Sequence, residues 1–499
     1  MSDPAAWSQL KNHLTETATL RSVAAMLAWD QQTNMPAAAA PHRGSQMAAM
    51  SKLIHERATD VRIGQWLTSL ESADDLNEVQ QGGVRNTRRG YDRSTKLSSD
   101  LVQRIAKAEA AGFGAWVEAK KNNDYDSFAP FLQTILDLTR EKAAAIDPDR
   151  HPYDVLLEDF DPGMTVEQLR PIFARLRDGL VQLIEAVKSV EQLPELSEQF
   201  DVETQEALHM KLLPSLGYDL NSGRLDAAEH PFTIGISPGD VRITTHLYPD
   251  DFLSGLGGTV HEAGHGMYEQ GIPVEFVGTG VGDAASLGLH ESQSRFWENF
   301  ISRSQAFFNW FETPFREAFP ESKVRAADLY RAANRVEPGL IRVAADEVTY
   351  NLHIIVRFEL ELELLEGTLS IADLPAAWNA KYEEYLGISP SDDSNGVLQD
   401  VHWCGGAFAY FPSYTLGNLY ASSLAAQMQQ DIPDLWTQVE AGEFASVLEW
   451  LRTRVHHRGH IDDAPDIVRA AVGDRDSVED LLSYLWARHG ALYGVARPA

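Results

Sequence analysis

The chain has 499 residues, 44% of them hydrophobic, and 73 acidic against 42 basic side chains give a formal net charge of −31. That balance disfavours nucleic-acid binding, which wants clustered lysine and arginine against phosphate. No apolar run approaches the ~20 residues of a membrane span, and a single cysteine, Cys404, excludes an intrachain disulfide and suits a reducing compartment. Residues Met1 to Trp7 carry neither the basic region nor the apolar segment of a signal peptide, so a soluble cytoplasmic protein is expected.

Taken in chain order, Trp7 to about Leu70 is helical in pattern, broken at Met35-Pro36 and the alanine run to Pro41. Residues 97–145 read as two amphipathic helices interrupted near Asn122–Asp126, and His151–Gly163 as a loop-rich joint. Helices are predicted from about Val166 to Val190 and over 202–216. The period then changes. Phe232–Ile236 and Val241–Leu247 alternate and are rich in β-branched residues, with Ser237-Pro-Gly-Asp240 between them, which predicts a hairpin. From Asp250 or Asp251, as N-cap, a helix runs to about Glu269 with Gly271 as its C-cap, and Ser286 to Phe300 reads as another. In this second helix Leu287, Leu289, Phe296 and Phe300 are available to pack inward. Most of the remainder is helical. Pro/Gly/Ser clusters occur singly, around 36–44, 148–163 and 235–239, without a long linker. One domain over 1–499, mainly α with a deep groove, is the expected organisation.

His261, Glu262 and His265 carry the chemistry. Two histidines four apart project from one side of a helix, so both imidazoles reach one metal ion. Glu262 lies one step round, within reach of a water held by that ion, as its general base. A catalytic zinc usually takes three protein ligands and leaves one position open. Glu291, 26 residues beyond His265, is the best third ligand; Glu298 and Glu269 are weaker candidates that read as solvated charges. Gly255, Gly257, Gly258, Gly264 and Gly266 burden this helix by roughly 1 kcal/mol each against alanine, which implies that another backbone or a substrate comes close. Asp283 and Asp346 are contenders for a carboxylate that orients a metal-bound histidine. His13, His42, His55, His151, His209 and His246 lack ligand spacing and read as structural or surface groups. Cys404 reads as a small buried side chain.

Further segments resemble the carboxypeptidase Taq family, the M32 metallocarboxypeptidases. The shared motifs are His230-Pro-Phe232, Asp240-Val-Arg242-Ile-Thr244, the helix at 261–265 and His290-Glu-Ser-Gln293. They continue with Ile341-Arg342-Val-Ala-Ala-Asp346 and Gly396-Val-Leu-Gln-Asp400-Val-His402-Trp403, in order along nearly the whole chain. Ala28-Trp29-Asp30, Met35-Pro36 and Phe411-Pro-Ser-Tyr414 are similar too.

The resemblance implies one large helical, zincin-like fold with a small β-sheet beside the His-Glu-x-x-His helix. It also implies a homodimer and removal of single residues from peptide C-termini. His402, Tyr410 and Tyr414 follow one another as do the histidine and tyrosines that stabilise the oxyanion in related helical zinc peptidases. Tyr414 is favoured for that role, His402 for a contact to the oxyanion or substrate backbone, and Tyr410 is the runner-up. Arg342 is the implied anchor for the substrate carboxylate, against a plain helix-surface pair with Asp346. Arg242 and Asp240 would line the groove or close its end, and so would His230. Zinc is the expected ion, with cobalt or manganese compatible with the same ligands. The alternatives are a zinc oligopeptidase or dipeptidase, and a catalytically silent helical protein with a structural metal.

Overall fold

Many of the helices begin where the sequence supplies a side-chain cap. Asp60, Ser98, Asp124, Thr165, Asp201, Asp251 and Ser286 each accept a backbone N–H two or three residues on, a contact typically worth about 1 kcal/mol. The computed structural model describes residues 4–498, and these are mostly helical. The break at Met35-Pro36 separates helices Pro4–Thr33 and Ala40–Ala58. The interruption near 122–126 is a helix end at Asn123, in the left-handed conformation with φ 53°, followed at once by the Asp124 cap. The joint at 151–163 is not all loop: Pro152–Leu157 forms a short helix whose buried Tyr153, Val155, Leu156 and Leu157 reward the ordering.

The described chain divides into two compact units, each built from three separate stretches. The first takes in the chain to Thr95, Glu195–Ala333 and Tyr420–Arg475; the second takes in Lys96–Pro194, Asn334–Leu419 and the chain from Asp476. Among the described helices none is long and apolar enough to cross a membrane.

In the first unit the predicted hairpin forms from β2 (Thr233–Ser237) and β3 (Asp240–Thr245), antiparallel with Thr233 opposite Ile243. A third strand, β1 (Leu225–Ala227), was not expected; it runs parallel to β3 and makes the order β1-β3-β2, which leaves β2 at an edge. Helix α1 (Phe252–Gly271) follows. Its first residue is rooted among aromatic rings, with Phe200 at 5.1 Å and Phe315 at 5.3 Å from the Phe252 ring, and burying such a side chain stabilises by roughly 2 kcal/mol. Gly271 is the last helical residue rather than the cap; Ile272 caps in an extended conformation. Helix α2 (Leu287–Arg295) continues into a π-helical turn, Phe296–Ser302. Leu289, Phe296 and Phe300 are buried as expected, whereas Leu287, on the first turn, is exposed.

The second unit is centred on helix α3 (Tyr350–Glu366), buried on nearly every side. An α-helix that is apolar all round belongs in a core, yet α3 also buries His353, Arg357 and Glu361. Helix α4 (Pro412–Asp431) carries Tyr414 in its first turn.

Candidate metal centre

Helix periodicity puts His261 and His265 on one face of α1. The Nε2 atoms of His261 and His265 lie 3.7 and 3.5 Å from Glu291 Oε2 on α2. The three ligand atoms all lie within 4.8 Å of one another. A tetrahedral ion with bonds near 2.05 Å separates its ligands by about 3.3 Å, so the set fits a cation with little adjustment. The glycines explain the approach of α2. A Cβ on Gly264 would lie 2.6 Å from the Gln293 carbonyl oxygen and 2.7 Å from Ser294 Cα, so glycine there admits the neighbouring backbone that delivers Glu291.

Glu298, expected as a solvated charge, is buried. Its Oε2 accepts from His261 Nδ1 at 2.9 Å and from Arg295, and its Oε1 accepts from Arg303. It stands in the place considered for Asp283 and Asp346, against the His261 ring. Asp283 is exposed, and Asp346 accepts from the backbone N–H groups of Val348, Thr349 and Glu337 in the other unit. Arg295 also donates to Glu291 Oε1 at 2.7 Å. Burial alone would raise both carboxyls, but Arg295 and the histidines hold Glu291 and Glu298 well below the usual carboxylate range. Glu269 is likewise not a free charge; it meets His290 Nε2 at 2.9 Å, and His290 Nδ1 lies 2.5 Å from His265 Nδ1. Burial pushes His265 down to about 3, so its imidazole is neutral, the form that ligates.

Glu262 sits beside the ligands and is held by Thr233 of β2, whose hydroxyl lies 2.6 Å from Glu262 Oε2. Burial raises its carboxyl above the ordinary value, towards the basicity a proton acceptor needs. On the same sheet Arg242 pairs with Asp240 at 2.7 and 2.8 Å and lies over the Trp29 ring, 5.7 Å from its centre. His230 is exposed.

The second unit holds a cationic cluster. Arg342 is in a 3₁₀ turn and pairs not with Asp346 but with Asp400, through Nε at 3.1 Å and Nη2 at 3.0 Å. Arg357 donates to the other oxygen of Asp400 at 2.6 Å. Burial works against the Asp400 carboxylate, but the two arginines hold it well below its ordinary range. Tyr414 and Phe411 lie against the Arg342 guanidinium, ring centres 5.1 and 5.7 Å away. His402 packs on Phe411 and Tyr410 at 4.7 and 5.2 Å, and burial lowers its pKa to about 4, so it is neutral near pH 7. Tyr410 and Tyr414 stand 5.5 Å apart edge to face. Cys404 is buried, and its thiol is pushed up to about 11 by that burial.

The sequence reading missed Arg357, Glu361 and Thr233, and dismissed Glu298. Two signals were available. Glu291, Arg295 and Glu298 share a helix face at i, i+4 and i+7, and His353, Arg357 and Glu361 form a polar stripe at i, i+4 and i+8 in a helix rich in leucine and isoleucine.

Comparison with known proteins identifies the family. The family model for the carboxypeptidase Taq (M32) metallopeptidases matches residues 9–489. Thermostable carboxypeptidase 1 of Thermus thermophilus is 44% identical over 99% of this chain and 100% of its own. The crystal structure of an M32 carboxypeptidase from Deinococcus radiodurans R1 superposes with a TM-score of 0.96 at 38% identity, covering 98% of this chain and 100% of that one. Carboxypeptidase from Pyrococcus furiosus gives a TM-score of 0.95 at 31% identity over 98% and 99%. A His-His-Glu centre beside a buried glutamate, inside a match running almost end to end, makes the conclusion direct: the chain belongs to the carboxypeptidase Taq (M32) family and is a metallocarboxypeptidase of that family.

Proposed function

We propose that the chain is a broad-specificity zinc carboxypeptidase that removes single residues from peptides with a free C-terminus. The observation that carries the zinc assignment is the convergence of His261 Nε2, His265 Nε2 and a Glu291 oxygen within 4.8 Å. Bound there, zinc would act as a Lewis acid and raise the acidity of water; cobalt and manganese accept the same donors. Glu262 accepts the proton from the attacking water and returns it to the leaving amine, with Thr233 fixing which oxygen faces the reaction. The β2 edge offers its backbone to an extended peptide.

The remaining substrate contacts fall to Tyr414, His402, Tyr410 and Arg342 in this reading. Tyr414 donates to the oxyanion, His402 and Tyr410 support it, and Arg342 holds the terminal carboxylate. Two arginines share one aspartate, so the buried cluster keeps an excess positive charge that a carboxylate satisfies. Arg242 and His230 limit the substrate to chain ends. A single domain over 1–499 is the organisation proposed, and the unbroken family match over 9–489 supports it. A homodimer in the cytoplasm completes the proposal, the dimer resting on family resemblance and the compartment on a single buried cysteine.

The test is Glu262→Gln. Metal content should equal that of the parent while turnover of a blocked dipeptide with a free C-terminus falls about 10²- to 10⁴-fold. Amidating that C-terminus should abolish cleavage by the parent; undiminished cleavage would point to an oligopeptidase instead.

A further inference from the structure

The two metal-facing histidines are backed differently. Each turns Nε2 toward Glu291, so each must carry its proton on Nδ1 to leave a lone pair for a cation. For His261 the acceptor is a carboxylate oxygen of Glu298, in direct contact at 2.9 Å. For His265 it is another imidazole: Nδ1 of His290, 2.5 Å away. The two rings are within 30° of parallel with centres 4.4 Å apart. Stacked rings keep their atoms at about 3.5 Å or more, so a 2.5 Å approach of ring nitrogens is an edge-to-edge hydrogen bond. Beyond it, His290 Nε2 meets Glu269 Oε1 at 2.9 Å.

Proton accounting gives this chain a direction. An ionised glutamate only accepts, so His290 carries its proton on Nε2 and donates to Glu269. His290 Nδ1 is then placed to accept, and the one proton that fits between the two Nδ1 atoms is the one His265 donates. His265 Nε2 is left bare, facing Glu291. Helix α1 closes the circuit by itself, since His261, His265 and Glu269 follow at i, i+4 and i+8 on one face. Strand β2 leaves the room for it. A Cβ on Gly235 would stand 2.8 Å from Glu269 Oε2, and glycine is the residue that lets backbone come this close.

We infer that His290 and Glu269 are positioning residues that set the tautomer and orientation of His265, and through it the affinity for the ion. Neither offers a ligand atom to it. The inference rests on His261, His265 and Glu291 being the ligand set.

The experiment measures zinc affinity by competition with a chromophoric chelator, in the parent and in Glu269→Leu, Glu269→Gln, Gly235→Ala and His265→Ala. Glu269→Leu removes the terminal acceptor and should weaken zinc about 10- to 100-fold, the usual cost of losing a carboxylate that backs a ligand histidine. Glu269→Gln keeps an acceptor oxygen and should lose less than Glu269→Leu. Gly235→Ala, which displaces the carboxylate without altering it, should fall between the parent and Glu269→Leu. Glu269→Leu within twofold of the parent overturns the inference, and so does an equal loss in the Leu and Gln variants, since charge alone would then explain it. If Glu269→Leu does not fold, Gly235→Ala within twofold of the parent overturns it instead. His265→Ala separates the layers: if it binds zinc as tightly as the parent, the ligand set itself is wrong.

Discussion

The two buried charge clusters of this protein are unbalanced in opposite directions. Around the metal centre four carboxylates, those of Glu262, Glu269, Glu291 and Glu298, face two guanidiniums, those of Arg295 and Arg303. In the second unit two guanidiniums, Arg342 and Arg357, face the single carboxylate of Asp400. A buried charge left without a partner costs several kcal/mol, so neither cluster is complete alone. One is short of positive charge and suits a divalent cation; the other is short of negative charge and suits a carboxylate. The lesson is that in a functional site the missing counter-charge describes the ligand.

The comparison breaks first at Glu291. Glu291→Ala removes the ligand supplied by α2 and leaves Arg295 with Glu298 as its remaining carboxylate partner. Metal analysis should find the variant largely empty, and turnover should fall by about 10³-fold or more, the several kcal/mol that a Lewis acid supplies. The converse break is Asp400→Asn, which sets two buried guanidiniums side by side without an anion. Chemical unfolding should report a loss of about 3–5 kcal/mol, with metal content unchanged.

A third test sharpens the role of counter-charge as against burial. Glu361 is fully buried, as Asp400 nearly is, but it accepts only from neutral donors: Trp403 Nε1 at 2.8 Å, Tyr153 Oη at 2.9 Å and the Ala409 N–H at 3.1 Å. Burial outweighs them and pushes its pKa up to about 7, from 4.5. The folded protein therefore binds a proton that the unfolded chain has released between those values, and stability contributed at low pH is lost as pH rises through about 7. Thermal unfolding of the parent should weaken from pH 5 to pH 8 by up to about 3 kcal/mol from this group. Glu361→Gln should flatten that dependence. The smallest effect is expected at Glu298→Gln, which keeps an acceptor for His261 while removing charge. Zinc competition should register about a tenfold weakening, the low end for residues that orient a ligand.

Much of the site was legible because it lies within single helices. His261, Glu262 and His265 are read from a four-residue spacing, and the caps at Asp251 and Ser286 from residue type, both local properties of the chain. The strand alternation foretold the β2–β3 hairpin but not β1, whose parallel pairing with β3 has no local signature. Leu287 was misjudged because periodicity states which side chains share a face, not which turn of the helix reaches the core. The pairing of Arg342 with Asp346 failed because that stretch is a short 3₁₀ turn rather than an α-helix, so the i+4 geometry does not exist there.

By itself, then, the order of residues determined that two imidazoles would share one face of α1, since a helix presents i and i+4 together whatever surrounds it. It also pointed to the family, through motifs spread from Ala28 to Tyr414. Only the tertiary structure decided what stands behind each ligand. Glu298 reaches His261 because α2 passes against Gly264 and runs into a π-helical turn, and His290 bridges His265 to Glu269 across the same helix contact. The physical reason is that a partner across two elements depends on how closely their backbones approach. That distance is set by packing, and no spacing along a single helix encodes it.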